Sequence, residues 1–276
     1  MRVLFKAGAA ITDITKFVRG YKTDSYAMSY ASGNAIYIGT DLPFNHFYLN
    51  LGDTVNAVAA TTMSVANYKY NEFNACVEIS DETNGLFKSG FVQFTPDRFE
   101  GWQSRATNDM HGTTITELST VSIYDLFWTK ITFNQTLTAA IDISWIGQKF
   151  SDDFDLFSEY PIFNDNMRLS AFELGKLDWE EQTATAAEII VKDLQAKGII
   201  WSKNQILERD VFKLASVSKT AQIIYNAFGK DYLDRALMAK QEYEARISHA
   251  INRVDLNANG VLDPQEKKMK TGWLSR

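Results

Sequence analysis

The 276-residue chain has one cysteine, Cys76, so a framework of internal disulfides is excluded and cysteine usage says little about redox compartment. It has three histidines, His46, His111 and His249, which lie far apart in sequence and form no metal-ligand spacing such as HExxH. GxSxG, GxGxxG and the Walker A glycine loop are all missing, which leaves no nucleophile elbow, dinucleotide fingerprint or phosphate cradle. No stretch approaches 18 consecutive apolar residues, so no membrane span is expected. The N-terminus turns polar at Thr12 and Asp13, too soon for a secretory apolar segment and cleavage site. Basic charge is also short. A net charge of -6 argues against a general nucleic-acid binder, which needs a basic face. The expectation from these absences is a protein that is not an enzyme.

What is present is apolar material for a sizeable core, 45% hydrophobic and 13% aromatic, on a chain long enough for two domains. Character changes near residue 165. Residues 1–167 hold 11 Lys/Arg against 19 Asp/Glu and 27 aromatics, whereas the remainder holds 17 against 15 and 9 aromatics. The first part carries short β-branched and aromatic runs at 35–39, 47–51, 62–65, 90–94 and 121–133, separated by turn signals such as Leu42-Pro43 and Asn84-Gly85. This pattern predicts an antiparallel β-sandwich or jelly roll over residues 1–165. The acidic and aromatic stretch 150–175 reads as a linker.

Residues 176–276 read as a helical bundle. Thr185-Ala186-Ala187-Glu188 fits a capping box ahead of Ile190, Val191 and Leu194. Ser202-Lys203-Asn204-Gln205 repeats that signature before an apolar run to Phe228, which Ser216 and Ser218 would split. A third helix carries Tyr232 to Val254 at spacings of three and four. The predicted fold class is therefore α+β with two domains.

The sharpest local signal is Asp255 to Glu266, which matches the EF-hand loop position by position. Asp255, Asn257 and Asn259 occupy positions 1, 3 and 5, Gly260 permits the turn, and Val261 offers its carbonyl. Asp263 would act through water and Glu266 as a bidentate ligand. Calcium takes six to eight hard oxygens, and this spacing wraps them round one point, so a structural calcium ion is the expected cofactor. An alternative reading needs no metal. Asn259-Gly260 is an ordinary turn, and Asp263-Pro264 with Glu266 is an ordinary capped helix start. Asp152, Asp153 and Asp155 form a second acidic cluster, a loop calcium site or, more simply, a solvated acidic run. Trp102, Trp128 and Trp145 could stack on sugars or fill a core.

Three segments of the β part, 36–52 (IYIGTDLPFNHFYLNLG), 90–102 (GFVQFTPDRFEGW) and 144–161 (SWIGQKFSDDFDLFSEYP), resemble structural proteins of tailed bacteriophages. The helical stretch 187–253 resembles the head-to-tail adaptor proteins of phage necks. That resemblance implies a virion protein of the neck, a homo-oligomeric ring, commonly a dodecamer, bound to portal and other neck or tail proteins. DNA would pass through the ring without specific binding, and an acidic chain suits such a channel by repelling phosphates. The alternative is a non-catalytic β-sandwich module that recognises a carbohydrate or cell-surface partner.

Overall fold

A computed structural model describes residues 1–21, 24–95, 102–108, 114–258, 260 and 262. Among the described residues the chain forms two compact units, Met1–Gly147 with Ala258 and Gly260, and Gln148–Asn257 with Leu262. The architecture is α+β: two antiparallel sheets stacked as a sandwich, followed by helices.

The first unit contains β1 (Arg2–Ala7), β2 (Ala10–Asp13), a short helix α1 (Thr15–Val18), β3 (Tyr26–Met28), β4 (Ala35–Thr40), β5 (His46–Leu51) and β6 (Met63–Lys69). It continues with β7 (Glu72–Ala75), β8 (Val77–Asp81), β9 (Gly90–Thr95), β10 (Ser104–Arg105), β11 (Leu126–Phe133) and β12 (Ile141–Gly147). One sheet runs in the order β2-β1-β4-β11-β6-β7 with β10 also paired to β11, and the other runs β3-β12-β5-β9-β8. Side chains alternate along the strands, with a bulge in β12 between Ile143 and Trp145, so Val3, Phe5, Ile36, Ile38, Val65 and Ile131 of the first sheet meet Phe47, Leu49, Val92, Ile143 and Ile146 of the second in one core.

The first sheet is buried on its outer face as well. Leu4, Tyr37 and Trp128 point away from the sandwich core and are covered by Ile115, Leu118, Val121 and Ile123. This explains why β4 is buried at every position and reads AIYIGT without polar alternation. It also corrects the expected strand at 121–133: only Leu126–Phe133 pairs, and the residues before it cover the sheet. Gly39 in β4 is required by this packing, because a Cβ there would lie 2.8 Å from the Trp128 ring.

The second unit contains α2 (Asp153–Glu159), α3 (Asn166–Phe172), α4 (Glu180–Ala196), α5 (Arg209–Ala227) and α6 (Leu233–Ala250). α5 and α6 form an antiparallel pair spanning two cores. Phe212 and Ala215 of α5 meet Tyr243 and Ile247 of α6 together with Ile190 and Leu194 of α4. At the other end Val217, Ala221 and Ile224 meet Ala236 and Ala239 around Trp179 and Phe163. The turn between the two helices uses Gly229 at φ 87°, a conformation that penalises any side chain.

Three local expectations are corrected here. The stretch 150–175 is structured, because Leu156, Phe163 and Leu169 are core residues of the second unit. α4 starts at Glu180 rather than at Thr185, since Asp178 accepts the Glu180 N–H at 3.2 Å and Trp179 is anchored, leaving Thr185 inside the helix. The capping box at Ser202 and Gln205 does form, but on a single 3-10 turn (Lys203–Gln205), with α5 beginning at Arg209. Ser216 and Ser218 do not split α5. Both are fully buried, Ser218 donates to the Leu214 carbonyl, and Ser216 pairs with Ser151 at 2.7 Å.

Candidate functional site

The acidic cluster after β12 is neither a solvated run nor a loop site; it is the start of a helix tied into a buried charge network. Asp152 caps α2 by accepting the Asp155 N–H at 3.0 Å, and Asp155 returns the bond to the Asp152 N–H. Asp153 turns inward. Its two carboxylate oxygens accept the Trp179 N–H at 2.9 and 3.2 Å, and its own N–H donates to Glu180 Oε1 at 3.3 Å. Glu180 Oε2 in turn pairs with the fully buried Lys149 ammonium. The Lys149 charge therefore acts on both carboxylates, by contact on Glu180 and at longer range on Asp153. Burial first, and then the Glu180 charge, push the Asp153 carboxyl up to about 7, while the Trp179 N–H and Lys149 oppose the rise.

The other half of the network is Asp155 with Arg209 and Lys213. Arg209 reaches Asp155 Oδ2 at 3.1 Å and donates through Nε to the Phe150 carbonyl, and Lys213 lies 3.5 Å from Asp155 Oδ1. Burial, then the neighbouring Asp152 charge, raise the Asp155 carboxyl against the pull of Arg209. A carboxyl that exchanges its proton near neutrality is a common catalytic feature. Here it borders neither of the two open cavities described below, and its oxygens are committed to backbone. The network's evident work is to hold the starts of α2, α4 and α5 together.

Of the six expected calcium ligands, the described residues include Asp255 and Asn257. Asp255 is buried, and its backbone is clamped by Gln205, which donates through Nε2 to the Asp255 carbonyl and accepts the Asp255 N–H on its own carbonyl. Asn257 is exposed, and Gly260 has φ 83°, the left-handed turn that the loop pattern requires at that position. On the side from which the chain enters the loop, Ile247 and Val254 are core residues. Asn259, Val261, Asp263 and Glu266 lie outside the described residues. Among the described residues, no group of three or more His, Cys, Asp or Glu is arranged to hold a metal ion.

The remaining candidates are placed in the interior or apart from one another. His46 is buried beside Asn45, His249 is exposed on α6, and His111 lies outside the described residues. Cys76 is a buried thiol that burial pushes up to about 12, which makes it a poor nucleophile. Trp102, Trp128 and Trp145 are core residues at 7%, 0% and 8% exposure, so none offers a face to a sugar. No known protein family matches the chain, and neither a curated protein nor a solved structure does.

Two features escaped sequence reasoning. Lys149, Glu180 and Arg209 each look like ordinary surface charges in their local context, and their partners lie tens of residues away, so no spacing rule finds them. The second is an unusual surface. Twelve large hydrophobics are exposed among the described residues, and nine of them belong to the helical unit: Phe154, Met167, Leu174, Leu177, Trp201, Leu214, Leu233, Leu237 and Met238. Two shallow cavities lie among the described residues. One, of about 580 Å³, is lined by Ile199, Ile200, Trp201, Gln205 and Leu256 in the helical unit. The other, of about 440 Å³, is lined by Arg2, Asp13, Thr15, Lys16 and Arg19 in the sandwich.

Proposed function

We propose that this protein is a non-enzymatic structural component of a tailed-phage virion, a head-to-tail adaptor of the neck whose helical unit assembles into a ring around the DNA channel. The supporting observation is the exposed apolar surface of that unit. Isolated surface leucines are ordinary, but three-quarters of the exposed large hydrophobics on one unit, whose own cores are already closed, favour a surface made to be covered. Leu233 and Leu237 stand one turn apart on the outer side of α6 with Met238 beside them, and Leu174 and Leu177 flank the turn at Gly175. A structural protein of this kind needs complementary surfaces and no catalytic constellation.

The calcium loop belongs to the same proposal. Calcium bound by Asp255, Asn257, Asn259, Val261, Asp263 and Glu266 would set the direction in which the chain leaves α6, and so where its terminal segment reaches. The carbohydrate-binding alternative loses the tryptophans that motivated it, since all three are interior.

The test is particle mass by light scattering, with calcium and with chelator, on the wild-type chain and on Leu237→Asp. The expected result is a mass near an integral ring that falls to the protomer in the variant. A protomer mass for the wild type in both conditions, with portal protein added, overturns the adaptor reading. An equal mass and equal melting temperature with calcium and with chelator remove calcium from it.

A further inference from the structure

The sandwich is acidic, yet its first corner is basic. Residues 1–22 carry Arg2, Lys6, Lys16, Arg19 and Lys22 against Asp13 alone, while residues 23–147 hold five Lys/Arg against thirteen Asp/Glu. Three of these cations line the 440 Å³ cavity where β1, β2 and α1 meet.

The corner is rigidly built. Thr15 accepts the Val3 N–H at 2.9 Å on Oγ1 and donates that hydroxyl to the Val3 carbonyl, and the Ile14 N–H donates to the same carbonyl at 3.0 Å. Asp13 is fully used: Oδ1 accepts the Thr15 N–H at 2.9 Å and Oδ2 pairs with Arg2 at 3.2 Å. That leaves Lys16 and Arg19 on the cavity rim without a carboxylate partner among the described residues, Lys16 lying 4.5 Å over the Phe17 ring. The lining therefore carries three cations and one carboxylate, a surplus of two positive charges on a fixed floor.

From this cavity we infer an anion-binding site that takes a dianionic phosphate group, held by Arg19 and Lys16 with the free edge of the Arg2 guanidinium. The surplus charge matches one phosphate dianion, and guanidinium forks present paired N–H donors to its oxygens. A cavity of this size suits inorganic phosphate or the phosphate monoester of a small molecule. Nucleic-acid phosphodiesters carry one charge each and would be repelled by the acidic remainder of the sandwich. The site is independent of the adaptor reading, which rests on the helical unit.

The experiment is calorimetric titration of the full chain with inorganic phosphate at low ionic strength and pH 7.5, with chloride at matched ionic strength as control. Saturable binding is expected for phosphate and not for chloride. Lys16→Gln and Arg19→Gln are each expected to weaken it by about tenfold, the loss of one charge-assisted contact. Asp13→Asn keeps an acceptor for Thr15 but removes the opposing charge, so it tightens binding. Non-saturable heats, an equal response to chloride, unchanged affinity in all three variants, or tighter binding of a single-stranded oligonucleotide without a terminal phosphate would each overturn the site.

Discussion

The two units solve burial in opposite ways. The sandwich puts most of its aromatics inside and, Lys69 apart, fills buried polar positions mostly with neutral amides and hydroxyls, such as Asn50 with Ser144 and Asn56 with Thr61. The helical unit buries Lys149 and Arg209, half-buries Asp153 beside them and leaves leucines in water. The contrast assigns different work to each. Neutral hydrogen-bonded interiors hold one shape over a wide pH range, whereas buried charges make stability sensitive to protonation. A surface that keeps apolar side chains outside has another partner to meet.

The largest effect is expected at Trp128. Truncation to alanine removes a fully buried ring whose indole N–H donates to the Arg105 carbonyl at 2.9 Å, at a cost of about 4 kcal/mol. Hydrogen exchange of the strand amides should speed up, while that of the helix amides should not. Faster exchange in both together would mean that the contrast between the units does not extend to their stability. Next is Lys149→Met, which strands the Glu180 carboxylate beside Asp153 and should lower helical stability by about 3 kcal/mol at pH 8. A fully stable variant would show that water already reaches the pair.

A smaller and more diagnostic effect lies in the pH profile. Asp153 is raised to about 7 from 3.8, so the folded unit holds its proton more tightly than the unfolded chain does. The stability this contributes is complete below the unfolded value and is lost as pH rises through about 7. The helical circular dichroism signal should therefore melt at higher temperature at pH 5.5 than at pH 8, and Asp153→Asn, which resembles the protonated form, should flatten that difference. A profile unaffected by the substitution would assign the pH dependence to other groups.

Much of this was legible in the residues. The β-branched and aromatic runs at 35–39 and 90–94 become β4 and β9, because a short run of such residues between turn signals is enough to mark a strand packed in a sandwich. The apolar stripe from Tyr232 to Ile247 becomes α6 for the same local reason. The segment 150–175 was misread because its polar residues suggested solvent, while its core contribution rests on single apolar residues spread over three short elements. The surface of α6 was hidden because a leucine in a helical stripe reads as core wherever its face is unknown.

What the sequence determined by itself is local: strand and helix periods, the turn at Gly229, the left-handed position at Gly260, and the change in composition along the chain. Tertiary structure alone decided which charges leave water, which leucines stay in it, and that Asp13 is spent on Thr15 and Arg2 while Lys16 and Arg19 are not. Periodicity records what a residue's neighbours in the chain are, whereas desolvation and pairing depend on groups brought together from distant positions, and no local pattern encodes those.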